Sequence, residues 1–213
     1  DAGRAGVEKV FLRLPAQSNA LQTARSSGFT PYLTESLLAA RERARPAPGA
    51  PNERWASASG RVLRRWGRAD ANPTFQLYNR WTPEPVRRVE AATFREWLAG
   101  RERASSARRT GRAVVEGEGR IVGWLRTVPD GEVGRFEVMA DPSMPELMDA
   151  LIDTALVRLR EQSVLFSLVP EFATGLRERL LRRGFVPTEE FAVLARRTAL
   201  PEPVPQLAPA TPA

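Results

Sequence analysis

The chain has 213 residues, 42% of them apolar and 27% charged, enough to bury a real core. It contains no cysteine and no histidine, which excludes disulfides, thiol nucleophiles, Ser-His-Asp chemistry and nearly all zinc and copper sites. No apolar run approaches the ~18 residues of a membrane span, and no signal stretch follows Asp1, so the reading is a cytoplasmic protein, processed or a piece of something longer.

The net charge of +7 is unevenly spread. Lys9 is the only lysine, and residues 41–112 carry 17 basic groups against 7 acidic ones. A polyanion partner is conceivable for this stretch. The plainer reading is solvated helix faces, with Glu84, Glu90, Glu96 and Glu102 interleaved, since no nucleic-acid motif accompanies the charge.

In chain order, Val10–Pro15 is an apolar strand, followed by a helix-like segment with Leu21 and Ala24 facing inward and then by Gly28-Phe29-Thr30-Pro31. Residues 41–59, rich in Arg, Ala, Pro and Ser, read as a linker. Residues 60–199 alternate strand and helix signals. Arg61–Trp66 is a short strand, Asp70 caps a helix through Trp81, and Pro83-Glu84 opens a second running to Leu98. Glycine-bearing turns at 117–119 and 130–131 separate three strands, Ala113–Glu116, Arg120–Val128 and Gly134–Ala140, in a meander. Pro145 then starts a helix whose stripe is Leu147, Leu151, Ile152, Ala155, Leu156 and Leu159. Val164–Val169 is a buried-type strand. Phe172–Arg183 is a basic amphipathic helix closed by Gly184, and Phe191 starts the last strand. The Pro/Ala-rich stretch 200–213 cannot form a core. The expectation is an α/β mixed sheet of about six strands and four helices over 60–199, with Val138–Ala140 and Val164–Ser167 on neighbouring parallel strands.

The two ends look alike. Val10–Pro15 and Val164–Pro170 are both apolar strands closed by proline. Each leads through a helix to Gly-Phe-x-Pro: Gly28-Phe29-Thr30-Pro31 and Gly184-Phe185-Val186-Pro187. One supersecondary unit used twice accounts for this better than chance.

The strand order of 60–199, Gly184-Phe185 after its last helix and the strand ending in Ala140-Asp141-Pro142 resemble the GNAT superfamily of acetyl-CoA-dependent N-acetyltransferases. Residues 1–40 resemble the last β-α-β portion of a second such domain, as in tandem GNAT proteins. The resemblance implies transfer of an acetyl group from acetyl-CoA to an amine. Its cofactor would lie along Val138, Met139 and Ala140 with Ser143 at the helix start, and Glu137 would serve as base. Glu137 also reads as an ordinary strand carboxylate paired with Arg135 or Arg126.

The chain departs from that pattern in two places. Where the family's glycine-rich pyrophosphate loop falls, it has Pro142-Ser143-Met144-Pro145-Glu146-Leu147, in which Pro145 removes an amide donor and Glu146 adds negative charge. Four residues before Gly184, where the family often has an acidic tyrosine, stands Leu180; the matching residue of the first unit is Ala24. The expectation is weak or absent acetyl-CoA binding. A non-catalytic scaffold or dimerisation domain is the alternative, and an Arg-rich polyanion binder the second. Tyr78, Tyr32, Trp66, Trp81, Trp97 and Trp124 read as core or pocket lining. Residues 7–40 must dock on something: the sheet of 60–199, a second copy, or, preferred, an upstream fragment of the same protein.

Overall fold

A computed structural model describes residues 8–41, 60–103 and 110–198. All of the expected linker 41–59 but Arg41, and the tail 200–213, lie outside the described residues. Eight strands form one sheet: β1 (Lys9–Pro15), β2 (Thr30–Ala40), β3 (Val62–Arg65), β4 (Gly111–Gly117), β5 (Arg120–Asp130), β6 (Val133–Ala140), β7 (Val164–Pro170) and β8 (Val186–Arg197). The helices are α1 (Ala20–Ser26), α2 (Ala71–Trp81), α3 (Glu84–Glu90), α4 (Phe94–Arg103), α5 (Glu146–Arg158) and α6 (Thr174–Arg182). The strand order across the sheet is β1-β8-β2-β7-β6-β5-β4-β3.

The meander β3-β4-β5-β6 is antiparallel throughout, and its β4–β5 turn places Glu118 and Gly119 at φ of 54° and 69°, the double left-handed geometry of a tight hairpin. The α5 crossover then brings β7 parallel to β6 as expected, but the two strands pair only from Val133–Arg135 to Val164–Phe166. Beyond that point they part, so Val138–Ala140 lie beside β7 without pairing to it.

Two layers cover the sheet. On one face Leu125, Phe136, Val138 and Ala140 pack against Leu147, Leu151, Ile152, Ala155, Leu156 and Leu159, the stripe read from the sequence, together with Leu176, Leu180 and Phe185. Each fully buried leucine there is worth about 1.5–3 kcal/mol. The ion pairs Arg183–Asp153 and Arg179–Asp149, both 2.9 Å, tie α6 to α5. On the other face Val114, Ile121, Trp124 and Met139 meet Leu77, Tyr78, Ala91 and Trp97 of the α2–α4 layer.

Several boundaries differ from the sequence reading. The helix expected from Pro83 to Leu98 is two helices. Ala91 leaves helical geometry, with φ −157° and ψ 84°, and Thr93 and Glu96 form a reciprocal cap in which Glu96 N–H donates to Thr93 Oγ1 at 3.3 Å and Thr93 N–H donates to Glu96 Oε2 at 3.1 Å. The last strand starts at Val186 rather than Phe191, because β2 offers it a partner from Val186 onward. Asp70 does not cap α2; it accepts from Arg64 and from the Gly67 amide.

The duplicated ends prove to be interlocked. β2 lies between β7 and β8, and β8 lies between β1 and β2, every pair antiparallel. Each β-α-β unit therefore takes one strand of the other between its own two parallel strands, about a local pseudo-twofold axis between β2 and β8. The helix ends match bond for bond. Gly28 and Gly184 have φ of 83° and 84°, Phe29 N–H donates to Ala24 O and Phe185 N–H to Leu180 O, both at 3.1 Å. Residues 9–40 thus dock in the sheet of 60–199 itself, the first of the three seats considered for them. The physical reason is the α6 crossover: it leaves β7 and β8 parallel with a gap one strand wide, and β2 fills it with Leu38, Ala39 and Ala40 buried.

Candidate functional site

The cleft with the richest chemistry lies over the place where β6 and β7 part. It encloses about 710 Å³ and is lined by Arg135, Phe136 and Glu137 of β6, Phe166 and Leu168 of β7, and Arg112, Trp124 and Arg126 of the meander. Period-2 alternation puts Arg126, Glu137 and Trp124 on the face away from α5. Glu137, about half exposed, accepts a hydrogen bond from Arg126 Nη1 at 3.0 Å, the cross-strand partner opposite it. Of the two arginines read as its partners, Arg126 is the one it takes. Val138, Met139 and Ala140 are buried, and their backbone faces the opening between the strands.

The segment after β6 is closed around its own side chains. Asp141 Oδ1 accepts from both the amide of Ser143, at 3.1 Å, and its hydroxyl, at 2.7 Å, while Oδ2 accepts from Arg80 Nε at 2.8 Å. Burial opposes ionisation of this carboxyl, but the Ser143 and Arg80 contacts outweigh it and hold Asp141 below the usual aspartate range. The Met144 amide donates to Asp141 O, Pro145 has no donor, and Glu146 pairs with Arg61 at 2.9 Å. Ser143 is therefore at the helix start as expected, with both of its donors turned inward. Leu180, in place of the family's tyrosine, is fully buried in the core.

A second cavity, about 390 Å³, sits between the β1–β2 unit and the α3–α4 layer. Both tyrosines of the chain converge there on one carboxylate: Tyr32 donates to Glu90 Oε1 at 3.1 Å and Tyr78 to Oε2 at 3.0 Å. Burial pushes the Glu90 carboxyl up, and the two phenol donors only partly counter it. Burial and the neighbouring Glu90 push the Tyr32 phenol well above its ordinary value. Arg13 and Glu35 close the cavity as a 2.6 Å ion pair. Glu90 had read as a solvated carboxylate, and its helical position beside Val86 and Val89 gave no signal otherwise. Four of the seven arginines of 61–88 form ion pairs: Arg61 with Glu146, Arg64 with Asp70 and Glu116, Arg80 with Asp141, and Arg88 with Glu84. Trp97 and Trp124 are core residues that also line the smaller cavity and the larger cleft, respectively. Among the described residues no acidic cluster could hold a metal, and no helix is long and apolar enough to cross a membrane.

An antiparallel meander runs into a parallel pair and parts from it over a cleft, with helices on both faces. This is the fold of the GCN5-related N-acetyltransferases, the GNAT fold. The chain is similar to a functionally unknown conserved protein from Staphylococcus epidermidis, at TM-score 0.61 and 12% identity over 91% of this chain and 74% of that one. It is similar to a GCN5-related N-acetyltransferase from Sphaerobacter thermophilus, at TM-score 0.51 and 19% identity over 92% of this chain and 61% of that one. A tandem GNAT protein from the clavulanic acid biosynthesis pathway matches at TM-score 0.55 and 12% identity, over 89% of this chain and 64% of that one. No family model and no curated protein matches the sequence.

Proposed function

We propose that the protein is an N-acetyltransferase that moves an acetyl group from acetyl-CoA to an amine seated in the 710 Å³ cleft. The observation that carries this reading is the end of the β6–β7 ladder at Arg135 and Phe166, directly beneath the cleft. It leaves backbone donors and acceptors of β6 open where an extended amide-bearing arm could pair. Acetyl-CoA, when bound, would supply the thioester whose carbonyl the amine attacks.

The fit to that cofactor is divided. Val138–Ala140 suit its arm. The Asp141–Glu146 segment does not suit its pyrophosphate, because Ser143 spends its donors on Asp141 and Glu146 stands at the helix start. The hold on acetyl-CoA is accordingly weak and rests on β6. Glu137, exposed in the cleft, accepts the proton released by the acceptor amine, and Arg126 holds the carboxylate in position. Residues 9–40 are the β-α-β end of a first GNAT-like domain, and β1, an edge strand, is where an upstream fragment or a second copy would add on.

The closed Asp141–Ser143 turn favours a second reading, a GNAT-fold scaffold without catalysis. Calorimetric titration with acetyl-CoA, followed by mass detection of an acetylated amine from a mixed amine panel, decides between the two. Measurable binding with Glu137-dependent product supports transfer; no heat and no product at millimolar cofactor leaves the scaffold.

A further inference from the structure

The charge in the cleft is one-sided, and its arrangement is costly unless something answers it. Arg112 stands directly opposite Arg126 across β4 and β5, and Arg126 directly opposite Glu137 across β5 and β6. Like charges facing each other in a sheet are destabilising. Glu137 is the one carboxylate of the lining, and it is taken up by Arg126 at 3.0 Å. Arg135 lies on the same face, two residues before Glu137 and opposite Val128 and Phe166. Among the described residues neither Arg112 nor Arg135 has a carboxylate within ion-pair distance. The Arg112 guanidinium lies instead over the Trp66 ring, 5.3 Å from its centroid, which holds its plane in place. Burial, with Arg126 beside it, lowers the Arg112 proton affinity, and the charge of Glu137 only partly offsets this. The cleft also has apolar walls in Trp124, Phe166, Leu168 and Phe191. Two cations without a carboxylate partner, Arg112 held over Trp66 and Arg135 exposed on β6, beside aromatic walls match a small amphipathic oxyanion.

We infer that the ligand of this cleft, which is the acceptor on the acetyltransferase reading above, carries a carboxylate on an apolar body, with Arg112 and Arg135 on the carboxylate and Trp124, Phe166 and Phe191 against the body. The acceptor is thus an amine of amino-acid type rather than a simple or polycationic amine.

The test is calorimetry on the full chain with phenylalanine, phenylacetate, 2-phenylethylamine and phenyl phosphate. Phenylalanine and phenylacetate bind, and 2-phenylethylamine binds at least about tenfold more weakly. Arg112→Met and Arg135→Gln each weaken phenylalanine by about tenfold and leave 2-phenylethylamine unchanged. Arg135 is exposed, so its variant folds even if Arg112→Met does not. Four results overturn the inference: equal binding of 2-phenylethylamine, no binding by any probe, a preference for phenyl phosphate over phenylacetate, or arginine variants that weaken acetyl-CoA and spare phenylacetate. Carboxylate binding that depends on Arg112 and Arg135 but is followed by no acetyl transfer keeps the ligand class and removes the acetyltransferase reading.

Discussion

The phenol of Tyr78, on α2, donates to the inward-turned carboxylate of Glu90, at the end of α3, over 3.0 Å, and the second oxygen of that carboxylate takes the phenol of Tyr32 from β2. One carboxylate therefore joins the helix layer to the N-terminal unit. Burial raises its proton affinity, Glu35 adds to the effect and Arg13 opposes it.

This gives a signed pH dependence. A carboxyl with a raised folded-state pKa is bound to its proton more tightly in the folded chain than in the unfolded one. Its stabilisation is complete below the ordinary glutamate range and is lost as pH rises through the raised value. Glu90→Gln keeps a hydrogen-bonding partner for both phenols and removes the titration. Urea midpoints from pH 4 to 9 should fall less steeply with rising pH in the variant; identical slopes would show that Glu90 does not titrate in this window. Tyr78→Phe, which strips a donor from the partly buried carboxylate, should cost about 1 kcal/mol at neutral pH.

Asp141 has the opposite sign. Its folded-state pKa is depressed, so its contribution is present above the ordinary aspartate range and disappears as pH falls through the depressed value. Asp141→Asn should cost about 1.5–3 kcal/mol at pH 7 through the contacts to Ser143 and Arg80, and much less near pH 2. An equal loss at both pH values would refute the charge-based account.

The interlocked strands predict a contrast between two apolar residues of the N-terminal unit. Leu38, fully buried on central β2, should not tolerate Leu38→Asp: the chain should fail to fold. Phe11→Asp, on edge strand β1 at 42% exposure, should cost no more than about 1 kcal/mol. In limited proteolysis of the intact chain, residues 10–35 should resist cleavage; rapid cutting throughout them would contradict the strand exchange.

Placing a tyrosine at position 180, as the GNAT pattern has it, should fail. Leu180 is fully buried, and its carbonyl accepts the amides of Arg183 and Phe185. Leu180→Tyr should lower stability by about 1–3 kcal/mol through overpacking and give no rise in acetyl transfer, as thermal melts and product assay would show.

Much of the fold was legible because its signals are local. The stripe from Leu147 to Leu159 repeats at helical spacing, the 117–119 and 130–131 turns carry glycine where the backbone needs it, and Gly28 and Gly184 close their helices with positive φ. The break between α3 and α4 was also present, in Thr93 and Glu96, whose reciprocal cap is a three-residue pattern that helical periodicity alone overlooks.

Of the candidate site, the sequence by itself determined which residue types could act: carboxylates, phenols and arginines, with Glu137 and Ser143 on β6 and at the start of α5. It also determined that two β-α-β units share one pattern. Only the tertiary structure decided that those units exchange strands, that Ser143 turns its donors to Asp141, and that Tyr32, Tyr78 and Glu90 meet across 58 residues of chain. Alternation along a strand tells which side chains share a face but not which strand lies beside it. That choice belongs to the gap between β7 and β8 and to the strand that can fill it, and the meeting of Tyr32 with Glu90 follows from it, whereas the arginine pair follows from the β4–β5–β6 meander.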